Sequence, residues 1–198
     1  MDRRSQKYQE FIGVQRLPSD ARPWYAMQLF GVQQSELSDY LEANANETFI
    51  PLHRVDIVDR EGRLHHELRP VVTNLLFMRQ PDDDKELVRY LDRYYQGKYY
   101  IVRKERGTFS YYQIPAAQMR EFMIMCNPDL LEKKFLSEEE ARLKPGDRVH
   151  VHHGPLKGLS GRLVRQSGKY YLLKEIPGMA IMLKVTRWCC ERVDGAEK

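Results

Sequence analysis

Three groups of residues in this chain have types and spacings that could do chemistry. Histidines and cysteines occur as adjacent pairs: His65-His66, His152-His153 and Cys189-Cys190. Neighbouring side chains on a strand point to opposite faces, so neither histidine pair is set to share a metal. Vicinal cysteines also lack the C-x-x-C spacing of a zinc or redox site. Lys98, Arg103, Lys104 and Arg106 form a basic run with Tyr99 and Tyr100 interleaved. Cations beside aromatic rings can hold single-stranded nucleic acid, and the same pattern also suits an edge strand protected by its charges. The third group is a glycine-punctuated stretch, Leu143 to Val164, LKPGDRVHVHHGPLKGLSGRLV. The chain has no P-loop, no G-x-G-x-x-G and no G-x-S-x-G motif, so neither an enzyme nor a bound cofactor or metal is expected.

The elements that must position these groups follow from periodicity. With 198 residues, 42% of them hydrophobic and 11% aromatic, the chain can build one or two cores. No apolar run approaches the roughly 18 residues that cross a bilayer. Residues 1–22 have no clear period and read as a flexible leader. Trp24 to Phe30 is an apolar strand, followed by a helix with Leu37, Tyr40 and Leu41 on one face. Phe49 to Leu52 is a short strand, and Val55–Val58 and Leu64–Leu68 flank the turn Asp59-Arg60-Glu61-Gly62 as a hairpin. VVTNLLFM after Pro70 reads as a central strand. Asp82 to Asp84 open a second helix with Leu87, Val88, Leu91, Tyr94 and Tyr95 as its stripe. Tyr99–Val102 and Phe109–Gln113 read as strands, and Pro115 begins a third helix bearing Met119, Phe122 and Met123. This alternation predicts an α+β fold whose first domain, residues 23–126, is a ferredoxin-like split βαβ sheet.

Residues 127–145 carry no strand pattern and read as a charged linker. Within it, Ser137 and Glu140 have capping-box spacing. From 146 to 195, four or five short strands and glycine turns predict a small all-β barrel. Charge differs between the parts: residues 24–128 sum to −2 and residues 146–198 to +5, which suggests different partners. Three cysteines, an odd number, fit a reducing cytoplasm better than a disulfide framework.

The Leu143–Val164 stretch resembles a KOW motif within an SH3-like barrel. Gly146 turns the chain into a strand, Val149 and Val151 face the interior, and Gly154, Pro155 and Gly158 fold the loop. Gly161 permits close backbone approach as the next strand begins. The first domain adds Trp24-Tyr25-Ala26-Met27, Phe49-Ile50-Pro51-Leu52, Glu67-Leu68-Arg69-Pro70 running into Val71–Met78, then Tyr100-Ile101-Val102-Arg103 and Ile114-Pro115. Together, over about residues 23–195, these segments resemble the NusG family of transcription elongation factors, with an NGN-type first domain. F-I-P-L and R-P-V-V-T-N-L-L-F look most like the UpxY-type antiterminators of Bacteroides capsular polysaccharide operons. Housekeeping NusG proteins usually carry Pro-Gly-Tyr where Thr73-Asn74-Leu75 stands here, which favours a specialised paralogue.

The resemblance implies a bacterial, cytoplasmic, monomeric factor that binds RNA polymerase and suppresses pausing or termination. By matching strand position it implies that Val72, Thr73, Leu75, Phe77 and Ile101 grip the clamp helices of the β′ subunit from an open apolar sheet face. It implies contacts of the first helix (Gln33, Gln34, Ser38, Asn44) with non-template DNA, and recruitment of NusE or Rho by the barrel. No membrane contact is expected. The alternative is a ribosome- or RNA-binding protein in which the barrel does the main work. A first domain at −2 is less basic than that role favours.

Overall fold

The computed structural model describes residues 22–105, 110–130 and 132–193. The chain divides into two compact units, with the boundary between Arg120 and Glu121. Among the described residues it is a mixed α/β protein with four α-helices and three antiparallel sheets. No helix among them is long and apolar enough to cross a membrane.

The first unit opens with β1 (Trp24–Leu29) and α1 (Gln34–Ala43), then β2 (Thr48–Phe49). The strands β3 (Leu52–Val58) and β4 (Leu64–Pro70) pair only with each other, as a ribbon closed at Asp59. There the Asp59 carboxylate accepts from the Glu61 and Arg63 amides, which holds the turn. Next come β5 (Leu75–Arg79), α2 (Asp84–Tyr95) and β6 (Tyr99–Ile101). The helix α2 starts where Asp83 caps it, accepting from the Lys85 and Glu86 amides. The sheet order is β2-β5-β1-β6, antiparallel throughout. Tyr25, Met27, Leu76, Met78 and Ile101 form one buried sheet face, packed with Leu37 and Leu41 of α1 and Leu87, Leu91 and Tyr95 of α2. Burying side chains of this size stabilises by about 1.5–3 kcal/mol each, which is why both helices dock there.

Between β6 and Pro115 the described residues make only isolated bridges, Arg103 to Tyr111 and Trp24 to Ile114; a further strand is expected from the sequence at Phe109–Gln113, of which Phe109 lies outside the described residues. The helix α3 (Ala116–Met125) follows Pro115, and Met119, Phe122 and Met123 are buried.

The second unit is built on a six-stranded antiparallel sheet in the order β12-β8-β9-β10-β11-β7. Its strands are β7 (Lys133–Leu136), β8 (Asp147–Val151), β9 (Ser160–Gln166), β10 (Lys169–Ile176), β11 (Met179–Val185) and β12 (Cys190–Arg192). The turns between β9, β10 and β11 follow from their residues. Ser167 and Gly168 both take positive φ, as a two-residue hairpin of right-handed twist requires. Pro177-Gly178 joins β10 to β11, with φ of +91° at the glycine, the pattern of a type II turn.

Within 127–145, expected to be a linker, residues 133–142 are instead a strand and a helix of the second unit. The strand β7 pairs with β11 from Ala180↔Leu136 to Leu183↔Lys133. The helix α4 (Glu138–Arg142) carries the complete Ser137–Glu140 capping box. The charges that suggest a solvated tether instead decorate an edge strand, where lysines guard against further pairing. Lys134 reaches over the Tyr171 ring at 5.6 Å, and Lys184 and Lys169 pair with Glu132.

Candidate functional site

The expected polymerase-gripping residues do not share one surface. Cross-strand register sets Met27 opposite both Leu76 and Ile101, so Ile101 belongs to the helix-covered face, 3% exposed. Leu75 and Phe77 point to the other face, yet they are 2% and 0% exposed, alongside Trp24 and Ala26. The Phe49 ring lies 6.3 Å from that of Phe77. Alternation assigns residues to faces but does not say whether a face is open. An aromatic residue such as Trp24 or Phe77 carries about 150–250 Å² of apolar surface, and covering it is favourable.

Val72 and Thr73 are not in a strand. The segment 71–74 is a turn between Pro70, where β4 ends, and Leu75, where β5 begins. Asparagine at 74 suits such a turn, because its short amide side chain tolerates irregular backbone. Gln34 determines its position. Its side chain is 4% exposed and its Nε2 donates to the carbonyls of Val72 (2.6 Å) and Leu75. Gln34 is therefore a clamp for the turn and not a base-reading residue. Ser38 is also turned inward, 8% exposed and hydrogen-bonded to Thr48 at 2.6 Å. Gln33, the N-cap position of α1, and Asn44 at its C-terminal end are exposed.

Around the clamped turn the first unit has an open rim. The Leu29 amide donates to the Asn74 carbonyl and the Phe30 amide to that of Lys98, at 2.9 and 2.8 Å. These bonds tie the end of β1, the 71–74 turn and the start of β6 together. The rim presents Phe30 at 52% exposure, Tyr100 at 41%, half-buried Val72, and exposed Thr73, Gln33 and Lys98. It brings together two of the five expected polymerase contacts and two of the expected nucleic-acid contacts. Phe30 is the residue that sequence reasoning misses, since it reads as the last position of a buried strand. The available signal is Gly31, whose φ of +69° swings the chain away immediately after it.

The rest of the basic run is dispersed. Arg103 is half-buried and Lys104 exposed, while Arg106 lies outside the described residues. Tyr99 is held inward by its hydroxyl donating to Asp92 at 2.8 Å, and burial with that carboxylate pushes its pKa well above the usual phenol value. Tyr25 is held in the same way by Asp84, at 2.9 Å.

In the second unit, Val149 and Val151 are buried at 3% and 1%. Gly146 faces the Leu163 carbonyl with no room for a side chain. Gly154 and Gly158 have φ of +85° and +93°, and exposed Pro155 lies between them. The loop is closed by bonds between Gly158 and Val151 and between Val151 and Leu159, both 2.9 Å. A Cβ on Gly161 would stand 2.6 Å from the Leu173 carbonyl oxygen and 3.0 Å from the Leu172 side chain. Behind this hairpin the Lys174 ammonium, on β10, pairs with Glu121 and donates to the Ser160 carbonyl at 2.8 Å. The Ser160 amide donates to Glu121 at 2.9 Å. Lys174 and Glu121 are mostly buried, so each charge depends on the other.

No group of three or more histidine, cysteine or acidic residues among the described residues is arranged to hold a metal. The three cysteines are buried and form no disulfide. No family model matches the chain, and no curated protein matches it.

Proposed function

We propose that this chain is a NusG-type transcription elongation and antitermination factor, of the specialised rather than the housekeeping kind. The observation that carries the reading is the strand order of the first unit. β2-β5-β1-β6, with two helices packed on one face and the β3–β4 ribbon inserted between β2 and β5, is the arrangement expected of a split βαβ sheet of NGN type. The glycine-turned β8–β9 hairpin, with its buried valines, supports the KOW reading of the second unit. Fold alone does not fix function; the F-I-P-L and R-P-V-V-T-N-L-L-F segments and the exposed rim supply the rest.

In this reading the rim meets the clamp helices of the polymerase β′ subunit. Phe30 and Tyr100 are the apolar anchors and Val72 and Thr73 line the edge between them. Aromatic anchors of this kind carry most of the energy of such interfaces. The buried pair Leu75 and Phe77 keeps the sheet beneath the rim rigid. The second unit recruits a further partner, NusE or Rho by the resemblance. Holding the clamp while the enzyme elongates would suppress pausing and termination by restricting clamp opening. The test is transcription through a terminator by purified bacterial RNA polymerase, with the wild-type chain or a Phe30→Ser/Tyr100→Ser variant added. Increased read-through that the double variant loses supports the proposal. Unchanged read-through at saturating protein contradicts it.

A further inference from the structure

The second unit carries a surface that the polymerase reading does not use. Trp188 follows Arg187 in a 3-10 turn (Arg187–Cys189) between β11 and β12, and is 73% exposed. Its indole stacks on the His153 ring, with centroids 6.2 Å apart and planes at 29°. The two loops are joined by backbone: the His152 amide donates to the Cys189 carbonyl at 2.9 Å. The ring pair is therefore held in place while one indole face stays in water. Beside it, Val149 and Val151 point inward, so Arg148 and His150 lie on the opposite side of β8, and His152 follows directly after the strand. The His150 and His152 rings lie 5.0 Å apart, edge to face.

The charges around the ring pair are unequal. Asp147 is matched by Arg192 at 2.7 Å, and the Glu191 carboxylate lies 2.7 Å from His152 Nε2. Arg148, Lys157 and Arg187 are exposed and pair with no carboxylate among the described residues. An immobilised aromatic platform beside uncompensated cations, within a segment of net charge +5, matches a flexible polyanion with exposed ring faces. We infer that Trp188, stacked on His153, with Arg187 next to it in the 3-10 turn and Lys157 in the loop that follows His153, binds single-stranded nucleic acid by base stacking. Phosphates attract the cations and a base lies on the indole. Stacking does not read the sugar, so ribose and deoxyribose strands should bind alike. This inference rests on the second unit alone and stands whether or not the first unit binds polymerase.

The experiment is fluorescence anisotropy of labelled oligo-U and oligo-dT titrated with the full chain at about 0.1 M salt. Both single strands should bind. Trp188→Ala should weaken both by about 5- to 150-fold, the range that loss of one stacked base implies. Trp188→Phe should keep most of the affinity. Arg187→Gln with Lys157→Gln should weaken binding and reduce the dependence on salt. Trp188 is exposed, so circular dichroism of the variants should match wild type. No binding by the wild-type chain, including a face that captures protein but no oligonucleotide, overturns the inference. So does unchanged affinity in Trp188→Ala, or a duplex that binds as tightly as the single strands.

Discussion

Replacing Gln34 with methionine tests how the rim is built. Methionine keeps the length and apolar volume of the side chain but removes the donor. Gln34 is 4% exposed, and its one amide nitrogen serves the Val72 and Leu75 carbonyls. Each neutral hydrogen bond contributes about 0.5–1.5 kcal/mol net, and a buried acceptor left unmade costs about 1–3 kcal/mol. The Leu75 bond is the more buried of the two, whereas the turn at Val72 can recover water. The expected loss is therefore about 2 kcal/mol, read as a fall in the urea midpoint with an unchanged slope. Hydrogen exchange should accelerate at the amides of residues 71–75 and at Leu29, whose amide bonds to Asn74. Gln34→Glu should cost more at neutral pH, because it sets a carboxylate against two carbonyls. Its folded-state pKa is then raised above the unfolded value near 4.3. Stability should accordingly recover as pH falls through the folded pKa, and be restored below the unfolded one. A loss under about 0.5 kcal/mol in Gln34→Met, with unchanged exchange at 71–75, would refute the clamp.

Three further outcomes follow from the geometry. Gly161→Val drives a Cβ into the Leu173 carbonyl and Leu172 and should destabilise by about 1–3 kcal/mol or more in chemical denaturation. Lys174→Met strands the Glu121 carboxylate and should cost about 2–3 kcal/mol, below the 3–5 of a fully buried pair because Glu121 keeps some solvent access; Lys174→Met with Glu121→Gln should recover part of that loss in a double-mutant cycle. Tyr25 and Tyr99 have pKa values raised by burial and by Asp84 and Asp92. Their contribution to stability is present below about pH 10, the unfolded value, and declines above it, so a spectroscopic phenol titration should show a fraction of the 12 tyrosines ionising only as the chain unfolds.

Local signals in the sequence located most elements. Asp83 before an amphipathic stripe marks the start of α2, Ser137 and Glu140 mark α4, and the glycines at 154, 158 and 161 mark the β8–β9 hairpin. Each is a short-range effect of capping or backbone sterics. The site was less legible because it depends on distant partners. Gln34 reads as one more polar residue on a helix until the carbonyls of Val72 and Leu75 meet it, 38 and 41 positions along the chain. The period-two pattern of VVTNLLFM separates Leu75 and Phe77 from Leu76 and Met78, but burial on both sides is a tertiary outcome. Lys133-Lys134 looks like a tether because its strand gains its register only from β11. Trp188 carries no periodic signal, and its exposure is set by the 3-10 turn that holds it.

The most direct test of the central claim is binding of the full chain to purified bacterial RNA polymerase, followed by biolayer interferometry. Saturable one-to-one binding is expected, lost in Phe30→Ser/Tyr100→Ser, while the circular dichroism and melting of that variant match wild type. Absence of binding by the wild-type chain, or undiminished binding by the folded double variant, would contradict it.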